Sequence, residues 1–92
     1  MTMLEIMKER LPEGLEIKKV QNRSNANQIK IWFTYEGLEV IGYLPTTCIP
    51  GAAEKVADFT ISAAMMEAHM RKGDIEGARA WMVKQNTLVG ME

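Results

Sequence analysis

Hydrophobic positions along this chain change period twice, from helical to alternating and back to helical. Thr2 followed by Glu5 has the spacing of a capping box, in which hydroxyl and carboxylate satisfy each other's backbone amides. Leu4, Met7 and Leu11 follow at helical spacing beside Met3 and Ile6, with Glu5, Lys8, Glu9 and Arg10 opposite, until Pro12 and Gly14 stop the helix. Three strands come next. Leu15 to Val20 alternates at first and slips at Lys19, the mark of a bulge, and the polar stretch 21–27 reads as a turn. Gln28 to Tyr35 alternates cleanly, with Ile29, Ile31, Phe33 and Tyr35 on one face and Lys30, Trp32 and Thr34 on the other. After a two-residue Glu36-Gly37 turn, Leu38 to Leu44 sets Leu38, Val40, Gly42 and Leu44 against Glu39, Ile41 and Tyr43.

Beyond the Pro45 to Gly51 connection, the period returns to helical over about Ala52 to Lys72. One apolar strip is Ala52, Val56, Phe59, Ala63, Met66 and Met70, and a second is Ala57, Ile61, Ala64, Met65 and Ala68. The remaining stripe, including Lys55, Asp58, Ser62, His69 and Lys72, predicts a solvated edge. A helix so apolar needs cover on two sides, from the sheet and from a third helix. Gly73 ends it and Asp74 caps that third helix, about Ile75 to Gln85, with Ile75, Ala78, Trp81 and Met82 expected to face inward. Asn86 to Glu92 reads as a loose tail. The order α-β-β-β-α-α predicts a single α+β domain of two layers, a three-stranded antiparallel meander packed against helices.

The tight hairpin fixes a register with Trp32 opposite Ile41 and Lys30 opposite Tyr43. If helices cover the Ile29/Ile31/Phe33/Tyr35 face, the other face displays Trp32, Ile41 and Tyr43 together, with Lys30 beside them. Two arrangements are open. Either this aromatic face is bare and binds a protein partner or a second copy of the chain, or the first helix or the tail folds over it and makes it core.

Composition narrows the function classes. Of 92 residues, 11 are basic and 12 acidic, a net charge of −1, and no third of the chain carries the strong basic excess of a nucleic-acid footprint. Nucleic-acid binding through Lys18, Lys19, Arg23 and Lys30 is therefore the alternative reading and protein binding the leading one. One cysteine excludes an intramolecular disulfide framework and a cysteine-based zinc site, no apolar run is long enough to cross a membrane, and the setting expected is cytoplasmic. Cys48 precedes the long helix, but the single histidine, His69, lies about five turns along it, roughly 30 Å from the helix start and too far for a dyad. No carboxylate pair, metal-ligand cluster or phosphate loop stands out, so no catalysis, cofactor, metal or small-molecule substrate is expected.

Two stretches resemble known families. Ala64 to Lys84, through Arg71-Lys72-Gly73-Asp74-Ile75-Glu76-Gly77-Ala78, resembles the helix-turn-helix of a single tetratricopeptide or pentatricopeptide repeat. The order α-β-β-β-α, ending at Met70, is similar to that of a double-stranded RNA-binding domain. That family grips phosphates with a lysine cluster at the start of its last helix, where this chain has Ala53-Glu54-Lys55. Small single-domain chains without catalytic motifs are also typical of bacteriophages and mobile elements, and a phage accessory protein is the corresponding expectation. Six of the eight methionines, Met3, Met7, Met65, Met66, Met70 and Met82, fall on expected packing surfaces.

Overall fold

The clean alternation of Gln28 to Tyr35 becomes the middle strand of a three-stranded antiparallel sheet. A computed structural model describes residues 2–23 and 26–90 as α1 (Met3–Glu9), β1 (Leu15–Arg23), β2 (Gln28–Tyr35), β3 (Leu38–Pro45), α2 (Ala53–Arg71) and α3 (Ile75–Leu88). The sheet order is β1-β2-β3, and the fold is α+β in the predicted order. Glu36 and Gly37 both take left-handed backbone, φ 49° and 84°, as a two-residue hairpin whose twist matches the flanking strands requires. The register follows from it: Trp32 pairs with Ile41, Lys30 with Tyr43 and Phe33 with Val40.

The expected slip in β1 is a bulge. Ile17 pairs with Phe33 and Lys19 with Trp32, so Lys18 is the extra residue. Strict alternation would have sent Lys19 to the helix-covered face. The bulge turns it to the Trp32 side and Val20 to the other. β1 then runs past Val20, where the alternation suggested it would end, because Gln21, Asn22 and Arg23 find ladder partners in Lys30, Ile29 and Gln28. Backbone pairing overrides the turn preference of those side chains. Of the predicted 21–27 turn, residues 24–25 lie outside the described residues.

The Thr2–Glu5 capping box forms in both directions, Glu5 N donating to Thr2 Oγ1 at 3.2 Å and Thr2 N to Glu5 Oε1 at 2.8 Å. Met3 and Met7 of α1 join Ile31, Phe33, Val40 and Leu44 of the sheet in one core, closed by Ala57, Ile61, Ala64, Met65 and Ala68 of α2. Small residues let α2 approach closely. At Gly42 a Cβ would lie 2.8 Å from Phe33 Cε2 and 3.4 Å from Thr60 Cγ2, so helix and strand meet over bare backbone.

This choice of strip corrects the sequence reading of the helices. The strip Ala52/Val56/Phe59/Ala63/Met66/Met70 is only partly covered: Ala52, Val56 and Met66 are half-buried, while Phe59 is 42% and Met70 59% exposed. Of the third helix, Ala78 is buried and Trp81 half-buried, but Ile75 and Met82, expected inward, are 56% and 41% exposed. Ser62, expected on the solvated edge, is buried with its hydroxyl donating to Phe59 O at 2.9 Å. The physical reason is space. The bulky sheet residues select the alanine-rich strip, and α3 is attached to α2 by too short a turn to reach both flanks. The expected tail is helical as far as Leu88, which is half-buried, while residues 91–92 lie outside the described residues.

α2 also closes one margin of the sheet. Arg71 Nη1 donates to Glu39 O at 2.5 Å and Thr60 Oγ1 to Tyr43 O at 2.9 Å, so two carbonyls of β3 are taken by helix side chains.

Candidate functional site

Alternation from the buried positions places Glu16, Lys19, Gln21 and Arg23 of β1, Lys30, Trp32 and Thr34 of β2, and Glu39, Ile41 and Tyr43 of β3 on the face opposite the helices. No described residue packs over this face. α1 does not cover it, since α1 packs into the core on the helical side through Met3 and Met7, and Leu88 and Val89 at the end of α3 reach only its Tyr43 margin. Ile41 is 40% and Tyr43 44% exposed, and Trp32 is half-buried only by its neighbours.

Those neighbours are cations. Lys19 Nζ stands 4.7 Å and Lys30 Nζ 4.8 Å from the centroid of the Trp32 ring, geometry worth about 0.5–1 kcal/mol each at an exposed site. Arg23 shares the face four residues beyond Lys19 along β1. Lys18 reaches it from the bulge and pairs with Glu39 at 2.7 Å. Lys19, Arg23 and Lys30 have no acidic partner among the described residues. Trp32, Ile41 and Tyr43 and the four cations, which the sequence placed in two rival hypotheses, therefore occupy one surface. Lys18, Lys19, Arg23 and Lys30 against Glu16 and Glu39 give this face a net +2 in a chain whose total is −1, so the positive charge is local.

The remaining chemistry-bearing residues lie apart from this face. Cys48 is half-buried with its Sγ 3.6 Å from Met3 Sδ, at the opposite end of α2 from His69. His69, expected to be a solvated residue, is 12% exposed at its side chain, because the hairpin folds onto the end of α2. Its ring lies 5.4 Å from that of Tyr35, its Nδ1 is 2.8 Å from Asp74 Oδ2, and Lys72 pairs with Glu36 of the turn. This is a latch between hairpin and helix end. The helix start that a double-stranded RNA-binding domain would use for phosphates is engaged otherwise, with Glu54 bound to Arg10 at 3.2 Å. Among the described residues no group of three or more His, Cys, Asp or Glu side chains could hold a metal ion.

Asp74 accepts from Gly77 N at 2.9 Å, and this bond, with that to His69, holds its carboxyl below the usual carboxylate range. A carboxyl depressed on folding stabilises the fold above its unfolded pKa and loses that contribution as pH falls through the lower folded value. Asp74→Asn is thus expected to lower the denaturation midpoint at neutral pH. Its gap from the wild type should close below the carboxylate range, as urea titrations at successive pH values would show.

A cleft of about 440 Å³ between the end of α1, α2 and α3 escaped the sequence reading. Pro12, Ile61, Trp81 and Leu88 line it, with the Arg10–Asp58 pair at 2.7 Å and Lys84 at its mouth, the latter 4.1 Å from the centroid of the Trp81 ring. The Trp81–Lys84 spacing was a visible signal, but nothing local to Arg10 announces a partner 48 residues away. No protein-family model, curated protein or solved structure matches this chain.

Proposed function

We propose that this chain is a non-enzymatic protein-interaction module whose open sheet face takes an acidic segment of a partner protein, in a cytoplasmic setting. The observation that carries the reading is the Trp32/Ile41/Tyr43 surface, uncovered among the described residues and edged by three cations without acidic partners. Indole and phenol rings supply large contact area at little entropic cost, and such anchors dominate binding energy. The flanking ammonium groups select carboxylates and steer their approach.

Selection of a displayed peptide library on the wild type is expected to enrich acidic sequences that carry an apolar anchor. Trp32→Ala should weaken their binding at least about tenfold, as for a central anchor. Lys19→Glu with Lys30→Glu should remove the acidic preference. Enrichment that persists equally on Trp32→Ala would sink the reading.

A second reading is favoured by the presence of Lys18, Lys19, Arg23 and Lys30 on the same face as Trp32. An aromatic platform flanked by cations is also the chemistry that stacks unpaired bases and grips phosphates. Fluorescently labelled single-stranded and duplex oligonucleotides distinguish the two. Binding that falls steeply with salt and is lost with Arg23→Glu and Lys30→Glu would replace the protein partner with a nucleic acid.

A further inference from the structure

We infer that the outer face of the α2–α3 pair is a dimer interface, on which two copies of this chain pack as a four-helix layer. The inference rests on a surface that meets the sheet face only at Tyr43, which borders a depression with Phe59 and Val89. Phe59, Ala63, Met66 and Met70 of α2 recur at spacings of three and four, the pattern of a helix seam that packs against another helix, and half-buried Val56 links them to the core. From α3 and its C-terminal end, Ile75, Met82 and Val89 recur seven residues apart on the side next to that seam. The two helices run antiparallel, and their outward sides merge. Met66 and Met70 border one depression with Ile75 and Met82, and Phe59 borders another with Val89.

Phe59 is 42%, Met70 59%, Ile75 56%, Met82 41% and Val89 51% exposed. Together these five side chains present on the order of 450 Å² of apolar surface, within the range where a patch marks an interaction and more than half of the about 800 Å² each partner gives to a stable interface. The spread-out exposure, two helices wide, fits another helix pair.

The charges at its margins identify that pair as a second copy. Glu67, about half exposed and 3.6 Å from Arg71 of its own helix, stands on the margin towards β3 and Arg79 on the margin along α3, near the same level of the antiparallel pair, since Arg79 shares a depression with Met66 and Met70 on either side of Glu67. A twofold axis along the helices lays each margin of one copy over the opposite margin of the other. Glu67 of each copy then meets Arg79 of its mate, twice per dimer, while the methionines interdigitate between them. Methionine suits such a seam, because its unbranched side chain fills irregular gaps. The interface is isologous and closes on itself.

Sedimentation equilibrium of the full chain over a roughly hundredfold concentration range is expected to show a monomer–dimer equilibrium. Met70→Glu and Met82→Glu, both at exposed positions, should give folded monomers by circular dichroism. Glu67→Arg and Arg79→Glu should each weaken the dimer at least about tenfold, and the double reversal should restore it. Trp32→Ala should leave it unchanged. A wild type that is monomeric throughout, which would leave the face to a helix of another protein, overturns the inference. So does a dimer that survives both methionine substitutions or is lost with Trp32→Ala.

Discussion

Phe33→Ala is expected to destabilise the fold by about 3–5 kcal/mol, the usual cost of removing a large buried aromatic side chain. The ring is fully buried at the centre of β2, paired with Val40 and packed over Gly42 below α2. It is the largest of the fully buried side chains, and the cavity it leaves is walled by a sheet and by a helix anchored at both ends, which collapse poorly around it. A domain of this size holds about 5–15 kcal/mol in total, so the variant should be partly unfolded under conditions where the wild type is intact. Urea unfolding followed by circular dichroism should show a much lower midpoint. A loss below about 1 kcal/mol would mean that the helix and sheet close over the gap, contrary to the packing described.

The complementary experiment adds an atom in the same place. Gly42→Ala puts a methyl group 2.8 Å from Phe33 Cε2, a separation no relaxed contact tolerates. A ring with no exposed surface cannot swing away, so β3 and α2 must move apart, at about 2–3 kcal/mol. In a strand, alanine would otherwise be favoured over glycine, and the sign of the effect is therefore a test of the close approach. Phe33→Leu in the Gly42→Ala background should be less destabilising than the sum of the two single changes, since the smaller side chain makes room for the methyl group. Additive losses would show that the two sites do not touch.

These two residues also show which parts of the architecture are legible in the chain. Period-two alternation over Ile29 to Tyr35, the Glu36-Gly37 turn and the Thr2/Glu5 and Asp74 caps are local signals, and each element they announce is present. Even the bulge is visible as a break at Lys19. What local pattern does not contain is the choice between two apolar strips of α2, both at helical spacing. That choice depends on Phe33 and Gly42, distant in sequence, which take the strip richer in alanine and leave Phe59 and Met70 outside. The same limitation misplaced Ile75 and Met82, and it buried Ser62 and His69 against groups brought in from other elements. For the candidate site, the hairpin register sufficed to assemble Trp32, Ile41, Tyr43 and Lys30. It could not join them to Lys19 and Arg23, because that depends on where the bulge resets the alternation of β1.

The donation by Arg71 and Thr60 to the carbonyls of β3 has a consequence for how these molecules can go wrong. Open-ended polymerisation through strands needs two free margins per molecule, one to give and one to receive. Here side chains of α2 take two carbonyls along one of them. A strand from elsewhere can be added only along β1, where the Lys18 bulge and the charges of Lys19 and Arg23 spoil a flat ladder. Pairing of strands between chains is thus expected to stop at a β1–β1 pair, the two α2 side chains opposing growth from the other margin.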